Sequence, residues 1–510
     1  MTGPPPSYTL IAPSRRFIAG IVLALSNFMV VLDMTIANVS VPHIAGNLGI
    51  SASQGTWVIT SYAVSEAICV PLTGWLAQRF GAVRVFVASM CGFGLFSMLC
   101  GLSPTLDMLV LCRVGQGLCG GPIMPMSQTL LLRLYPPEMR GRAMGTWAMT
   151  TLLGPAMGPI LGGMISDNWS WHWIFFINVP IAILGVMATL ALLRPLETES
   201  RPVPIDSVGL FLLVFWIGCL QIMLDIGREH DWFGDPMVVA LAIGAIVGFV
   251  VFVIWELTEE HPVVNLRVFA NPGFTFGVIA LALCFGTYFA SIVIIPQWLQ
   301  MSMGYTATLA GIATAFTAMS ALTTSAIAAR LLGRVDPRIM VSCAVAWLGL
   351  MALWRATHWT SEADFWTIAL PQMVQGVAMP FFIVPLTAIT LGAVPPSDTA
   401  SAAGLQNFLR TMAAAIAASV VLTLWDDSQR VAHNEIVSNL RPDDVLRELG
   451  NNGFPTDQAW QMVANIANDQ AIAVAVNHVF LLSSFALFFA AAIVWLSPKP
   501  KGPVDQSAAH

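Results

Sequence analysis

What most constrains this chain is the recurrence of long apolar runs. Stretches of about 20 residues are what a helix needs to cross the hydrocarbon core of a bilayer. Fourteen such stretches fall at roughly 16–40, 55–76, 83–103, 107–132, 142–166, 172–193, 206–226, 237–257, 273–298, 308–331, 338–357, 365–391, 400–425 and 476–496. Inside a bilayer no water satisfies the backbone, so a spanning segment is a helix or a strand of a closed barrel. Runs this long predict helices. Only 10% of the residues are charged and 56% are apolar, whereas soluble domains carry about 25% charged residues. The sequence reads as an all-α polytopic membrane protein set in a lipid bilayer, and a soluble fold is excluded.

Positive charge orients the spans. Of the 22 Lys and Arg residues, fifteen fall at one set of span ends, five (Arg355 among them) at the other, and Arg113 and Arg410 within spans. The basic side of a membrane protein is the cytoplasmic one, so both termini are expected there, with 1–15 a leader and 498–510 a tail. The leader is not read as a cleavable signal peptide, because a long apolar run follows Arg15 and Arg16 with no small-residue cleavage site. The eight cysteines lie in apolar runs without metal-ligand spacing and read as small membrane-core residues. The polar segment 426–475 is expected on the outside, with helical pieces such as "DDVLREL" and "DQAWQMVANIAN". It is either a solvated linker or a docking surface for an extracytoplasmic partner.

The chain also repeats itself. "QGLCGGPIMPMSQTLLLRLYPPE" begins at Gln116 and "QGVAMPFFIVPLTAITLGAVPPS" at Gln375, and in both Gln-Gly is followed by Pro-Pro after the same interval. At the same offset Ala143 and Gly145 align with Ala402 and Gly404. Span 4 thus aligns with span 12. This predicts two parallel six-helix halves, 16–193 and 273–497, separated by two additional spans in 194–272, the plan of a secondary transporter.

Charges inside spans are the candidates for chemistry, since intramembrane acids are expensive and commonly carry protons. Asp33, in "FMVVLDMTIANVSVP", lies about 12 Å below the outer end of span 1, and Arg113 lies about 9 Å deep in span 4. At similar depth, they read either as a proton-coupling pair or as a buried pair that holds the first half together. Glu66 lies about 16 Å deep in span 2 with no arginine obviously at hand, which suits a group that loads and releases protons. Gln116, Asn407 and Arg410 are the candidates along a substrate path, Arg410 lying about 15 Å from the inner end of span 13, where it meets either an anionic substrate or an acid from the other half. Asp225 and Glu256 read as interfacial. In "GPAMGPILGG", Gly154, Gly158 and Gly162 share one helix face where another backbone can approach closely. Pro155 and Pro159 permit a bend there, and Gly163 closes the stretch. This is a packing seam, or a bending seam between the halves of the kind that rocking-type alternating access uses. "GWLAQRFGAVR" carries Gly74, Arg79, Gly81 and Arg84 and reads as a turn or a latch at the inner face. The sequence has no G-x-x-x-x-G-K-[ST] loop, metal-ligand cluster or nucleophile–base arrangement. No enzymatic activity, cofactor, metal or nucleic-acid partner is expected, and an ion gradient must supply the energy.

These segments resemble the major facilitator superfamily, in its fourteen-span drug:proton antiporter branch. "LDMTIANVSVP" is similar to that branch's first-span signature, with Ser40 where alanine is commoner. "LVLCRVGQGLCGG" resembles its span-4 motif and "GPAMGPILGG" its span-5 antiporter motif. "GWLAQRFGAVR" resembles the cytoplasmic-loop motif, with Gln78 where an aspartate is usual. "SQGTWVITSYAV", "WIFFINVP", "LQIMLDIG", "MGYTATLAG" and "VPLTAITLGAVPP" look like the inner-membrane subunits of Emr-type tripartite exporters. The resemblance implies proton-driven export of small lipophilic toxic compounds across a bacterial inner membrane. Its implied partners are a periplasmic adaptor (EmrA-like) and an outer-membrane channel (TolC-like). It does not require an acid at position 66. Export of one endogenous metabolite (a siderophore, pigment or fatty acid) is the alternative, and a membrane scaffold or sensor a more distant one.

Overall fold

The computed structural model describes residues 7–200, 204–228, 230–332, 334–395, 397–439 and 455–496. Every regular element among them is a helix. The first half contains α1 (Pro13–Leu48), α2 (Ala52–Cys69), α3 (Thr73–Phe80), α4 (Ala82–Gly101), α5 (Leu106–Gly120), α6 (Ile123–Leu134), α7 (Pro137–Asn168), α8 (Trp173–Phe176) and α9 (Asn178–Leu192). Two extra spans follow, α10 (Ser207–Ile226) and α11 (Pro236–Thr258). The second half contains α12 (Pro272–Met301), α13 (Ala307–Leu331), α14 (Pro337–His358), α15 (Phe365–Gly376), α16 (Met379–Gly392), α17 (Thr399–Asn439) and α18 (Thr456–Ile493).

Four pairs, α2–α3, α5–α6, α8–α9 and α15–α16, run on through breaks of one to three residues, so eighteen helices make fourteen spans. Eleven of the spans pass as continuous apolar stretches, and α7 bends by 43° between Ala143–Pro155 and Ile160–Ser166. A proline has no N–H for the helical ladder, which accounts for a bend at Pro155 and Pro159. Local chemistry sets the helix ends. Pro13 occupies the first turn of α1, and Gly49 closes it with a left-handed φ of 65°, a conformation only glycine adopts freely. Ser51 and Gln54 cap α2 reciprocally.

The fold is turned inside out relative to a soluble one. Leu111, Phe211, Ile246 and Phe489 stand exposed on outer helix faces, where lipid covers them. The polar side chains Asp33, Glu66, Arg113, Gln116, Asn178 and Arg355 are buried. The extra spans lie to one side. Thr60 of α2 donates to Asp225 of α10 at 2.5 Å, while Trp216 of α10 meets Phe408 of α17 edge-on. Glu256, expected at an interface, is fully buried and accepts from the Val264 N–H at 3.1 Å. It anchors the chain that leaves α11.

The largest departure from the sequence reading is at 426–475. With 41 and 38 residues, α17 and α18 are about 62 and 57 Å long, against about 30 Å of hydrocarbon. Both run well past the bilayer as helix, and Gln429 joins Asn468 at 3.2 Å. Ala459, Val463, Ala467 and Ala471 are buried along one face of α18. "DQAWQMVANIAN" is helical as expected, whereas "DDVLREL" lies outside the described residues.

Candidate functional site

Asp33 sits near the middle of α1 with no exposed surface. Arg113 of α5 donates through NH1 to its Oδ2 at 2.7 Å. Its Oδ1 accepts from Gln116 Nε2 at 3.0 Å and from Asn178 Nδ2, on α9, at 2.6 Å. Gln116 and Asn178 also donate to Ser97 Oγ of α4, at 2.6 and 3.3 Å. Arg113 is held further by its Nε on the Val58 carbonyl of α2 at 2.9 Å and by the Tyr62 ring, 4.2 Å from its guanidinium carbon. The expected Asp33–Arg113 proximity is therefore a direct ion pair, tied into five spans. Such a pair survives burial only when its remaining donors and acceptors are satisfied, and Ser97, Gln116 and Asn178 supply that. Gln116, one helical turn from Arg113, was singled out from sequence. Ser97, Tyr62 and Asn178 were not, although Asn178 lies in the quoted "WIFFINVP".

Glu66 lies on α2 just before that span breaks. Gly117 and Gly121 of the facing span let the two backbones close up here. A Cβ on Gly117 would lie 2.5 Å from the Tyr62 carbonyl oxygen, and one on Gly121 3.0 Å from that of Glu66. Glu66 is buried, and its Oε2 has no hydrogen-bond partner among the described residues. Arg410 of the second half and Arg113 are the cations close enough to act on its carboxylate.

The two halves meet at the face where α1 begins, called the basic face here after Arg15, Arg16, Arg79, Arg84 and Arg133. Gly74 of α3 packs on Ser401 of α17, with a would-be Cβ 2.8 Å from the Ser401 Cα. Gly404 lies against the Val70 carbonyl and Gly145 of α7 against Ala329 of α13. Asn407 donates to Gln128 Oε1 at 2.6 Å. Arg410 approaches the Met124 sulfur and lies over the rings of Trp147 and Phe285 at 5.7 and 5.1 Å. Towards the opposite face the halves diverge around a cavity of about 460 Å³ lined by α1, α7, α12, α13 and α15. Thr35, Asn38, Tyr288, Thr317, Gln372 and Gln375 give it polar points among apolar neighbours. The molecule is thus closed at the basic face and hollow towards the other. Gln116, Asn407 and Arg410 do not line this cavity. Gln116 belongs to the Asp33 network, and the other two lie within the closed contacts.

The glycine face of α7 is a seam, but not one between the halves. Gly154, Gly158 and Gly162 pack on Val31, Thr35 and Ile36 of α1, inside the first half, and Thr35 Oγ1 donates to the Gly154 carbonyl at 3.1 Å. Pro155 and Gly163 face the cavity instead. In the loop motif, Gly81 takes a φ of 92°. Glu197, just past α9, accepts from the Val83 and Arg84 N–H groups at 2.9 and 3.1 Å. Arg84 lies 3.9 Å from the same carboxylate, and Ser200 donates to the Arg79 carbonyl. Glu197 thus holds the loop where an aspartate at position 78 does not, and Gly74 reaches across to the other half.

Comparison with known proteins fits this architecture. The chain is 42% identical over 494 residues to the multidrug export protein EmrB of Escherichia coli (strain K12), covering 96% of each. It is 40% identical over 483 residues to the fatty acid resistance protein FarB of Neisseria gonorrhoeae, covering 94% of this chain and 95% of that one. The solved proton:xylose symporter XylE superposes with a TM-score of 0.63 at 13% identity, covering 96% of this chain and 97% of that one, a likeness of fold alone. Residues 23–418 match the Major Facilitator Superfamily. The chain belongs to that superfamily, with two six-helix halves and two additional spans.

Proposed function

We propose that this transporter is a proton-coupled antiporter that exports hydrophobic toxic compounds by alternating access. One observation carries the reading: a cavity shut at the basic face, in a chain whose membrane helices bury two carboxylates, Asp33 and Glu66, and that is 42% identical to a multidrug export protein. Asp33 accepts three hydrogen bonds. A proton on it removes an acceptor and leaves the buried Arg113 charge uncompensated, so donors on several helices must rearrange together. Glu66 and Arg410 attract one another across the halves. Protonating Glu66 from the open side removes that attraction, loosens the basic face, and lets the proton leave inward as substrate loads. Gln116, Asn407 and Arg410 join the substrate path once that face parts.

The basic face is cytoplasmic in this reading, with both termini on that side of a bacterial inner membrane. The α17–α18 hairpin, projecting outward, docks a periplasmic adaptor (EmrA-like) that leads to an outer-membrane channel (TolC-like). The α1–α7 seam and the loop motif keep the first half together as it moves. A second reading, export of one endogenous fatty acid, is favoured by the 40% identity to a fatty acid resistance protein.

The test is purified protein in liposomes, under an imposed pH gradient, challenged with a panel of lipophilic drugs. Drug-dependent proton movement is expected, with its pH dependence flattened in Glu66→Gln. Proton movement with no drug would overturn the reading, and a response confined to fatty acids would select the second one.

A further inference from the structure

Arg355 of α14, expected at the outer span ends, is instead buried to 1% exposure. Among the described residues no carboxylate pairs with it. Its hydrogen-bond partner is neutral, Gln372 Oε1 at 3.1 Å from NH2, and its Nε has none. The rings of Trp359 and Phe480 flank it at 5.3 and 5.5 Å. Gln372 spends its oxygen on Arg355 and on Thr317 Oγ1, at 3.3 Å, while its Nε2 is buried without a partner. Gln372, Thr317 and Tyr288 all line the central cavity.

The internal repeat shows what is missing. At the offset that aligns Gln116 with Gln375, Arg113 aligns with Gln372 and Pro13 with Pro272, and both prolines open their helices. Asp33 then aligns with Ile292, which lines the cavity. The first half neutralises its buried arginine with an acid from its first helix. The second half has a buried arginine of its own, and where the acid would stand it has an apolar residue and open space. A buried cation with one neutral partner is incomplete, because desolvating it is offset only by an opposite charge.

We propose that the central cavity is a site for lipophilic organic anions, whose carboxylate or sulfonate head lies against Gln372 and is held by the charge of Arg355 behind it. The apolar tail lies along Phe289, Ile292 and Ile295, which line the same cavity. A volume of about 460 Å³ suits a small organic ligand. The inference rests on the cavity being the substrate site proposed above, and it adds a charge preference to it.

The experiment uses the purified full chain in nanodiscs and two probes with equal tails and opposite fixed charges, 1-octanesulfonate and octyltrimethylammonium. The sulfonate is expected to bind about tenfold or more tightly than the ammonium. Arg355→Met should abolish that preference without moving ammonium affinity by more than about twofold. Arg355→Lys should keep part of it. Gln372→Leu, which leaves the buried charge in place, should weaken the sulfonate alone, and it decides the matter if Arg355→Met fails to fold. Equal affinities in the native protein, or variants that weaken both probes alike, would overturn the proposal. Binding is read without transport, so absence of drug efflux would sink the functional reading and leave this one standing.

Discussion

At the scale of single residues, Asp33 and Arg113 form the most buried ion pair among the described residues, with side-chain exposures of 0% and 1%. Removing one partner leaves the other charged and unpaired, a loss of about 3–5 kcal/mol. Asp33→Asn is therefore expected both to lower the unfolding temperature and to abolish drug-driven proton exchange. The double variant Asp33→Asn with Arg113→Gln separates the two effects. It should regain most of the thermal stability and none of the exchange. Recovery of exchange as well would make the pair a structural tie only. The pair was legible in the sequence because the rise of a helix fixes depth, and depth alone brought Asp33 level with Arg113. Ser97 and Asn178 were not legible. Their membership depends on how α4 and α9 are rotated about their axes, which packing decides and apolar runs do not record. Glu66 and Arg410 were each legible as buried charges, and Arg410 as a cation facing an acid of the other half, but which acid was not legible, because that depends on a mutual placement of the halves that no local pattern encodes.

At the scale of elements, the α1–α7 contact depends on the absence of side chains. A Cβ on Gly158 would lie 2.7 Å from the Thr35 Cβ and 3.1 Å from the carbonyl carbon of the same residue. Gly158→Leu must push the helices apart, and overpacking of this kind costs about 1–3 kcal/mol or more. Its unfolding temperature in detergent should fall, and Thr35→Ala should restore part of it. No rescue would place the strain elsewhere on α7. The glycine spacing announced a close approach and its face, but not the partner, which proves to be α1 and not the other half. The α17–α18 hairpin shows a related limit. Hydropathy marks where a chain leaves the hydrocarbon, not where a helix stops, so a loop was expected where helix continues. Trp460, Met462 and Ile466 are exposed on this hairpin, beyond the lipid that would cover them. Replacing residues 430–470 by a Gly/Ser linker of equal length should spare drug-driven proton exchange in liposomes, which hold no adaptor. Resistance in cells and co-purification with the adaptor should be lost. Their persistence would place adaptor docking elsewhere.

At the scale of the whole molecule, alternating access requires that contacts at the basic face open and close while each half stays intact. Several contacts must break, the Asn407–Gln128 hydrogen bond between α17 and α6 among them, and the closest backbone approaches are those between α3 and α17 and between α7 and α13. These approaches are built from small residues, so they separate without stripping large apolar surfaces from each other. Gly145 and Ala329 offer the cleanest test. A Cβ on Gly145 would lie 3.5 Å from that of Ala329, at the lower edge of the roughly 3.5–4.5 Å that a disulfide spans. The eight native cysteines are all free, so the pair belongs in a background from which they have been removed. Gly145→Cys with Ala329→Cys should crosslink on oxidation, and the bond can form only while the basic face is shut. Drug-driven proton exchange should then stop and return on reduction. In the locked protein a cysteine placed at Asn38, in the cavity wall, should still react with a membrane-impermeant maleimide added on the open side, at the same rate as before oxidation. Exchange that continues in fully crosslinked protein would mean that these two helices do not part during the cycle. The cavity would then have to be reached from the basic face by another route.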